Sequence, residues 1–293
     1  MSFVHKQAVK LSVIIACFNG GRTLAEQLDA LARQKWRYVW EIIVADNKST
    51  DNSRQIVASF GARLPNLRVV DAGAKRGAAH ARNVAMQEAQ GDRFAFCDAD
   101  DQVGDGWVAS IGEALEEFDV VVSQLDDQRL NQQWLRDLWK GTSDGSPQPF
   151  LGFLPAAATY GLGFTRRVYE RVGVFDESLP RMSDIDYTWR IHLAGFNLQH
   201  LPHAVVHYRH RDTLKGMFVQ AYRDGQAQVL LYKKYREQGL PWESWWHGVK
   251  SWVWMIRRLP QLRTRLGRGK WFVDAGFTLG RIRGSIRYGI VAF

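Results

Sequence analysis

Three carboxylates within four residues follow an apolar run in the sequence FCDADD, and side chains of this type and spacing could hold a cation. Asp98, Asp100 and Asp101 would repel one another unless a positive charge neutralises them. Carboxylate oxygens are hard ligands of the kind that Mg²⁺ and Mn²⁺ prefer. The cluster therefore indicates a divalent cation site. An acidic surface turn that caps a helix is the alternative, because so short a motif also occurs by chance.

The segments around these acids predict a mostly parallel sheet. Apolar runs of strand length alternate with helical patterns, and the repeated β-α-β order favours an α/β fold with helices on both faces of the sheet. The predicted strands are 11–17, 41–45, 67–71, 93–97 and 120–124, and the predicted helices are 22–33, a capped segment ending at 60, 76–90 and 105–118.

Polar residues stand at the ends of four of these strands, namely Asn19, Asp46, Asp71 and Asp98. The carboxyl ends of parallel strands meet at one edge of a sheet, and sheets of this kind bind their ligands outside that edge. We therefore expect these side chains to line one ligand-binding edge.

The 293 residues could form one large domain with an appendage, or two domains. The two cysteines, Cys17 and Cys97, make neither a zinc pattern nor a disulfide framework, which favours a reducing compartment. The stretch LSVIIACF lacks a cleavage site and is interpreted as a first strand rather than a signal peptide. The sequence contains no run of about 18 apolar residues, so a membrane span is not expected.

Residues 125–160 lose the strand–helix rhythm and contain Gly, Ser and Pro, which predicts a mobile connection. The block SDIDYTWRIHLAGF and a short strand at 204–208 follow, and from residue 211 the chain is basic and helical in pattern. We therefore predict two parts, residues 1–210 and a C-terminal extension over residues 211–293.

The C-terminal extension carries all of the excess positive charge. Residues 211–293 hold 16 Lys and Arg against 5 Asp and Glu, whereas residues 1–210 hold 23 against 25. Six of the 12 tryptophans lie in residues 242–271. Tryptophan favours the lipid–water boundary and arginine favours anionic headgroups, which predicts peripheral membrane attachment. The alternatives are packing on the preceding domain, packing on a second subunit in a homodimer, and nucleic-acid binding, which no accompanying motif supports.

Four sequence blocks in the same order resemble the inverting nucleotide-sugar glycosyltransferases of glycosyltransferase family 2. The blocks are SVIIACFNGGRTLAEQL, EIIVADNKSTDNS, KRGAAHARNVAMQEAQGDRFAFCDADD and SDIDYTWRIHLAGF, and they cover roughly residues 10–210. The resemblance implies the GT-A fold, which has a mostly parallel central sheet flanked by helices and a Rossmann-like nucleotide-binding half.

The resemblance also implies a metal site and a catalytic base. DADD is similar to the DXD motif of the family, in which Asp98 and Asp100 would bind Mn²⁺ or Mg²⁺. SDIDYTWR is similar to the block whose Asp is the base, here Asp184, although the usual Glu is replaced by Ser183. A carboxylate can take the proton of an acceptor hydroxyl as it attacks the sugar, whereas a helix N-cap is the alternative role of Asp184.

The remaining family positions concern the donor and one further metal ligand. His207 stands where several members have an additional metal ligand, with His203 and His210 nearby and a structural role as the alternative. For Arg82, a surface salt bridge is the alternative to a contact with the base or phosphate of the donor. The residues that the resemblance assigns to nucleotide-sugar binding are Ala16, Cys17, Asn19, Asp46, Asn47, Arg76, Arg82, Asp98 and Ala99.

The expected function is a metal-dependent, inverting glycosyltransferase that moves a sugar from a nucleoside-diphosphate sugar to a hydroxyl group. The expected acceptor is a lipid-linked or cell-surface polysaccharide intermediate, at the inner, cytoplasmic face of the cell membrane, with no nucleic-acid partner. A nucleotidyltransferase is disfavoured because no glycine-rich activating loop followed by Arg and Lys stands near the start. A membrane-bound assembly protein with an inactive transferase domain is the alternative from another class.

Overall fold

Ten strands and ten α-helices build the part of the chain that the computed structural model describes, residues 8–141, 144–241 and 246–290. The strands are β1 Leu11–Cys17, β2 Trp40–Asp46, β3 Leu67–Asp71, β4 Arg93–Phe96, β5 Gln102–Val103, β6 Val120–Asp126, β7 Gln148–Pro149, β8 Pro155–Ala156, β9 Leu162–Thr165 and β10 Gln199–His207. The helices are α1 Leu24–Ala32, α2 Ser53–Ser59, α3 Ala78–Glu88, α4 Trp107–Glu117, α5 Gln133–Leu138, α6 Arg166–Val172, α7 Ser183–Leu193, α8 Leu214–Tyr235, α9 Trp246–Arg257 and α10 Arg265–Tyr288.

Eight strands form one sheet in the order β3-β2-β1-β4-β9-β6-β10-β5, and β7 pairs with β8 separately. The pairings β3–β2, β2–β1, β1–β4 and β6–β10 are parallel. In contrast, β9 is antiparallel to both of its neighbours, and β5 is antiparallel to β10. The predicted α/β architecture is confirmed, with antiparallel pairings in the second half of the sheet.

Two apolar cores cover the two faces of this sheet, because alternate side chains of a strand point to opposite faces. In β1, Val13 and Ile15 join the core formed with α1 and α4, whereas Ile14 joins the core formed with α3, α6 and α7. Burial on both faces explains why β1 is an almost continuous apolar run. The helices thereby hold the ends of β1, β2 and β4 at one edge.

The expectation of an irregular connection over residues 125–160 is wrong in part. This region contains the end of β6, the helix α5 and the β7–β8 hairpin. In addition, β10 begins at Gln199 rather than at 204, because it pairs with β6 on both sides of a register shift between Leu201 and Val205. Polar residues within β10 interrupt the apolar pattern by which a strand is recognised in a sequence.

The helices α8 and α10 of the C-terminal extension pack closely through glycines. A Cβ atom on Gly280 would lie 2.1 Å from the backbone oxygen of Tyr222, and one on Gly276 would lie 2.5 Å from another backbone oxygen of α8. Gly276 and Gly280 are four residues apart and therefore share a helix face. No larger residue fits there without separating the helices. The division into residues 1–210 and 211–293 stays a prediction.

The helix α9 and the turn after it expose apolar side chains, with Ile256 63% exposed. We call this surface the α9 patch, and its members are Trp252, Val253, Ile256 and Leu259. Trp242 and Trp245, which the membrane prediction included, lie outside the described residues. Among the helices that the structure describes, none combines the length and the apolar character needed to cross a membrane.

Candidate functional site

A cavity of about 690 Å³ opens at the edge of the sheet where β1 and β4 end. Six of the residues predicted from the sequence line it, namely Ala16, Asn19, Arg82, Asp98, Ala99 and Asp100. Arg181, Arg209 and Arg211 line it from the side of the later elements. Of the four strand-end residues expected to line one edge, Asn19 and Asp98 line this cavity, whereas Asp46 and Asp71 do not.

The acidic cluster, Asp98, Asp100 and Asp101, is compact. Each side chain offers one carboxylate oxygen, and the three oxygens lie within 4.8 Å of one another. Gln27 of α1 holds the turn in place, since its Nε2 donates to the backbone oxygen of Asp98 and its Oε1 accepts from the N–H of Val103. Three converging carboxylates suit a hard divalent cation.

Asp101, which the sequence reasoning placed beside the predicted ligands but not among them, is the most buried member of the acidic cluster. It is 1% exposed; its Oδ1 accepts the backbone N–H of Arg209 at 2.8 Å, and its Oδ2 has no hydrogen-bond partner within the described residues. Burial, and then the charges of Asp98 and Asp100, raise the pKa of Asp101 well above its ordinary value. A buried carboxylate oxygen that lacks a partner fits the role of a cation ligand.

Three guanidinium groups face the acidic cluster. Arg82, which is 8% exposed, donates from Nη2 to Asp98 Oδ1 at 3.1 Å, so this ion pair is partly buried. Arg211 Nη2 lies 3.1 Å from Asp100 Oδ2, and Arg209 Nε donates to the backbone oxygen of Asp100. Sequence reasoning missed Arg209 and Arg211, although the run RHR after a strand was a signal. Guanidinium groups beside a cation site suit a diphosphate.

Asp184 lies in the first turn of α7, which begins at Ser183. Met182 holds the preceding position with a left-handed φ of 58° and no side-chain cap, so Asp184 is not the N-cap of this helix. Burial raises the pKa of Asp184, while the nearby charges of Arg82 and Arg181 act in the opposite direction. Both arginines line the cavity, and Asp184 lies near them without being one of the residues that line it.

Asp186 and Arg190 form a structural ion pair. Arg190 Nε donates to Asp186 Oδ2 at 2.9 Å, and its Nη atoms donate to the backbone oxygens of Val172 and Val174. Asp186 itself is fully buried. This pair fixes α7 against the segment that follows α6.

The structure gives Asp46 and Asn47 hydrogen bonds that hold loops together. Asp46 is 2% exposed, and its Oδ2 accepts from Arg54 Nε at 2.6 Å. Asn47 donates to the backbone oxygens of Ala72 and Lys75 and accepts from the N–H of Gly77. Both residues shape the wall where a nucleoside is predicted, while their own polar atoms are engaged within the protein.

The loop after β1 meets two other loops at the rim of the cavity. Asn19, with a left-handed φ of 53°, accepts the backbone N–H of Thr50 at 2.8 Å. The guanidinium carbon of Arg76 lies 4.3 Å from the ring centre of Phe18, which lines the cavity. Cys17 is a buried thiol whose pKa burial raises. Arg76 and Phe18 thus form a cation–π pair on the predicted nucleoside side.

His207 lies outside the acidic cluster. Its Nδ1 contacts Asp126 Oδ2, and its Nε2 lies 3.2 Å from Arg129 Nη1. The structure therefore brings Asp98, Asp100 and Asp101 together and gives His207 a different set of neighbours, so its role as a metal ligand stays a prediction.

Comparisons with known proteins agree on one family. A family model described as "Glycosyl transferase family 2" matches residues 12–171. The glycosyltransferase GlyG of Streptococcus pneumoniae is 31% identical over 112 residues, which are 38% of this chain and 37% of GlyG. The matched part therefore spans little more than a third of that relative.

Two solved structures share the fold over almost the whole chain. The mannosyltransferase PcManGT from Pyrobaculum calidifontis, in complex with GDP-Man and Mn²⁺, superposes with a TM-score of 0.68 at 17% identity, covering 95% of this chain and 88% of that one. S. aureus TarS 1–349, in complex with UDP-GlcNAc, gives 0.54 at 19% identity, covering 96% and 93%. At sequence identities this low, the similarity shows a shared fold alone.

Proposed function

The chain belongs to glycosyl transferase family 2 and is a glycosyltransferase of GT-A fold, and from this premise we propose a metal-dependent, inverting sugar transfer. The donor is a nucleoside-diphosphate sugar, and the acceptor is a hydroxyl group. The observation that carries the proposal is the place of Arg82. Its guanidinium binds Asp98 of the acidic cluster, and its charge also opposes the rise that burial causes in the pKa of Asp184.

The acidic cluster supplies the ligands for the cation. Asp98 and Asp100 would hold Mn²⁺ or Mg²⁺, and the buried Oδ2 of Asp101, which lacks a partner among the described residues, fits a third ligand. Once bound, the cation would neutralise negative charge on the leaving nucleoside diphosphate. PcManGT, a neighbour in fold, was solved with Mn²⁺, which supports the choice of ion.

The diphosphate is held by this chain's own arginines. Arg82, Arg181, Arg209 and Arg211 line the cavity, and a planar guanidinium matches phosphate oxygens with two parallel hydrogen bonds. Phe18, Arg76, Asp46 and Asn47 lie on the side where the nucleoside is expected. The neighbours PcManGT and TarS were solved with GDP-Man and UDP-GlcNAc, which supports a donor of this class.

Asp184 is the general base. It takes the proton of the acceptor hydroxyl as the oxygen attacks the anomeric carbon from the face opposite the diphosphate, so the configuration inverts. Burial raises the pKa of Asp184, which makes it a stronger base than an exposed aspartate. Activity is then lost as the pH falls through this raised pKa, because the protonated carboxyl cannot accept a proton.

The α9 patch supports a membrane-associated acceptor, a lipid-linked or cell-surface polysaccharide intermediate at the cytoplasmic face of the cell membrane. Exposed apolar side chains and the neighbouring Arg257, Arg258 and Arg263 suit the surface of an anionic bilayer. Sedimentation with anionic and neutral vesicles tests this. Binding to anionic vesicles that Ile256→Glu weakens supports it, whereas no binding, or concentration-dependent dimerisation that Ile256→Glu abolishes, contradicts it.

The transfer itself is tested by turnover of GDP-mannose and UDP-GlcNAc with Mn²⁺ and with EDTA. We expect turnover only with metal, a product of inverted configuration by NMR, and a loss of about 100-fold or more in kcat for Asp184→Asn. Activity that survives rigorous metal removal contradicts the metal role. A fully active Asp184→Asn enzyme contradicts the base.

The second candidate function is that of an assembly protein with an inactive transferase domain. The observation that favours it is Ser183, which stands where the family usually has Glu. An Asp184→Asn chain that supports normal polysaccharide production in cells would favour this second function. Loss of production with Asp184→Asn, at normal protein level, favours the enzyme.

A further inference from the structure

Two aspartates in the first turn of α7 have different surroundings. Asp184 lies beside the cavity, whereas Asp186 is fully buried and faces α8. In an α-helix, a separation of two residues corresponds to a rotation of about 200°. The two carboxylates therefore leave α7 on nearly opposite sides. Whatever fixes Asp186 therefore also sets the direction in which Asp184 projects.

Three side chains hold Asp186, and two of them belong to the end of α8. Tyr235 donates its hydroxyl to Asp186 Oδ1 at 2.8 Å, and Lys234 Nζ lies 2.6 Å from the same oxygen. Arg190 occupies the other carboxylate oxygen. Lys234 also binds Asp176 Oδ2 at 2.6 Å. Removing one partner from a buried carboxylate leaves a charge unpaired, which makes this arrangement costly to disturb.

A second contact from α8 reaches the residues just before α7. Arg181 Nε donates to Asp224 Oδ1 at 2.7 Å, and Arg181 also lines the cavity. Asp224 and Tyr235 are 11 residues apart in α8, which corresponds to about 16 Å along the helix. Two contacts at this separation fix both the rotation and the tilt of α7.

Aromatic packing fills the space between the two helices. Trp189 of α7 is fully buried and meets the ring of Tyr235 edge to face, with centroids 4.9 Å apart. Its indole N–H donates to the backbone oxygen of Leu154. The contact between α7 and α8 is therefore a packed core with a charged centre.

We propose that α8 is a positioning element of the transfer site, in which Lys234, Tyr235 and Asp224 hold the start of α7 so that Asp184 meets the acceptor hydroxyl. The inference rests on the proposed role of Asp184 as base. None of the three residues touches the reactants, so they are positioning residues. The C-terminal extension then contributes to catalysis through the position of Asp184, apart from any membrane contact through the α9 patch.

The test compares Lys234→Met and Tyr235→Phe with matched controls on the same helix. Lys233→Met removes the same charge from a lysine that donates to the backbone oxygen of Tyr288, and Tyr222→Phe removes a hydroxyl from a ring that stacks on Phe218. We expect kcat to fall about tenfold or more in the two test variants, since a misplacement of about 1 Å can cost about 100-fold. The controls and the conservative Lys234→Arg should stay near the original kcat.

A split between kcat and donor binding separates positioning from general destabilisation. The donor KM and the thermal shift given by nucleoside diphosphate with Mn²⁺ should stay within roughly twofold, because the acidic cluster lies on other elements. Unchanged kcat in both test variants overturns the inference, and so does a loss confined to melting temperature. If a variant melts below the assay temperature, Asp224→Asn replaces it with kcat alone as the readout, because its partner Arg181 lines the donor cavity.

The Asp184→Asn enzyme distinguishes the two levels of the proposal. If it transfers sugar normally, the proposed base is wrong, and the positioning inference falls with it. If it is inactive while Lys234→Met, Tyr235→Phe and Asp224→Asn keep normal kcat, the base stands and only the role of α8 is refuted.

Discussion

Replacing Asp101 by Asn should stabilise the metal-free protein and remove most of the stabilisation that Mn²⁺ gives. Asp101 is 1% exposed, and its Oδ1 accepts the backbone N–H of Arg209, whereas its Oδ2 has no partner among the described residues. Asparagine keeps an oxygen for Arg209 and removes one of three clustered negative charges. The same change removes a ligand from the proposed cation site.

The size of the effect follows from the spacing of the carboxylates. Their oxygens lie within 4.8 Å, and two unit charges at that distance repel by about 3–4 kcal/mol at an effective dielectric of about 20. Nearby arginines offset much of this repulsion. We therefore expect a net gain of about 1–2 kcal/mol, or roughly 2–6 °C in melting temperature.

The pH dependence of this gain has a definite sign. Burial, followed by the charges of Asp98 and Asp100, raises the pKa of Asp101 in the folded state above the value of about 3.9 in the unfolded chain. Ionisation of Asp101 therefore destabilises the folded state at neutral and higher pH. Below about pH 4 this destabilisation is absent. The gain from Asp101→Asn should be largest at pH 7–8 and shrink as the pH falls toward 4.

Thermal melts in EDTA and in saturating Mn²⁺ measure both parts of the prediction. The original protein should gain about 2–3 kcal/mol from Mn²⁺ at roughly 100 times its Kd, and Asp101→Asn should gain much less. Asp105→Asn, an exposed neighbour with the same charge change, is the control and should match the original protein. A lower melting temperature of Asp101→Asn in EDTA, or an undiminished Mn²⁺ shift, would refute the reasoning.

Three further predictions concern stability. Gly280→Ala should cost about 1–3 kcal/mol in urea unfolding, because its Cβ would lie 2.1 Å from the Tyr222 oxygen, whereas Gly61→Ala, with 3.5 Å to its nearest atom, should cost little. Glu177→Gln should lose about 1–2 kcal/mol at pH 7. Burial opposes ionisation of Glu177, but hydrogen bonds from a lysine, an asparagine and a histidine outweigh it and lower its pKa to about 2, so the loss should fade as the pH falls from 4.5 toward 2. Burial raises the pKa of Asp274 to about 6, so Asp274→Asn should raise the melting temperature by a few degrees at pH 7.5 and not at pH 4. Equal melting temperatures at pH 7.5 would contradict this last prediction.

The strands whose two faces are buried could be predicted with accurate bounds. β1 begins and ends where the sequence places it, because an apolar run of strand length leaves little choice. The predicted start of β10 was five residues too late, since the first half of the strand contains polar residues and its pairing with β6 is irregular. That strand depends on its neighbours in the sheet rather than on its own pattern.

In the candidate site too, some features could be predicted from the sequence and others could not. The acidic cluster could be predicted because its members are adjacent in the sequence. The approach of Arg209 to Asp101 could not, because it requires the antiparallel pairing that places His207 opposite Gln102. The bonds of Asn47 to the backbone of residues 72–77 are equally invisible in the sequence, although its position beside a strand end was correct.

The block SDIDYTWR shows why spacing alone does not assign roles. Asp184 and Asp186 alternate like residues on one face of a strand, yet in a helix the same spacing sends them to nearly opposite sides. The outcome is decided by where α7 begins, and that point follows Met182, a non-glycine residue in a left-handed conformation. Such a conformation is sparsely populated by L-residues and persists only when surrounding contacts enforce it. The contacts of Arg181 with Asp224 and of Asp186 with the end of α8 lie on either side of Met182, so the directions of both aspartates depend on a helix that begins 30 residues further along the chain.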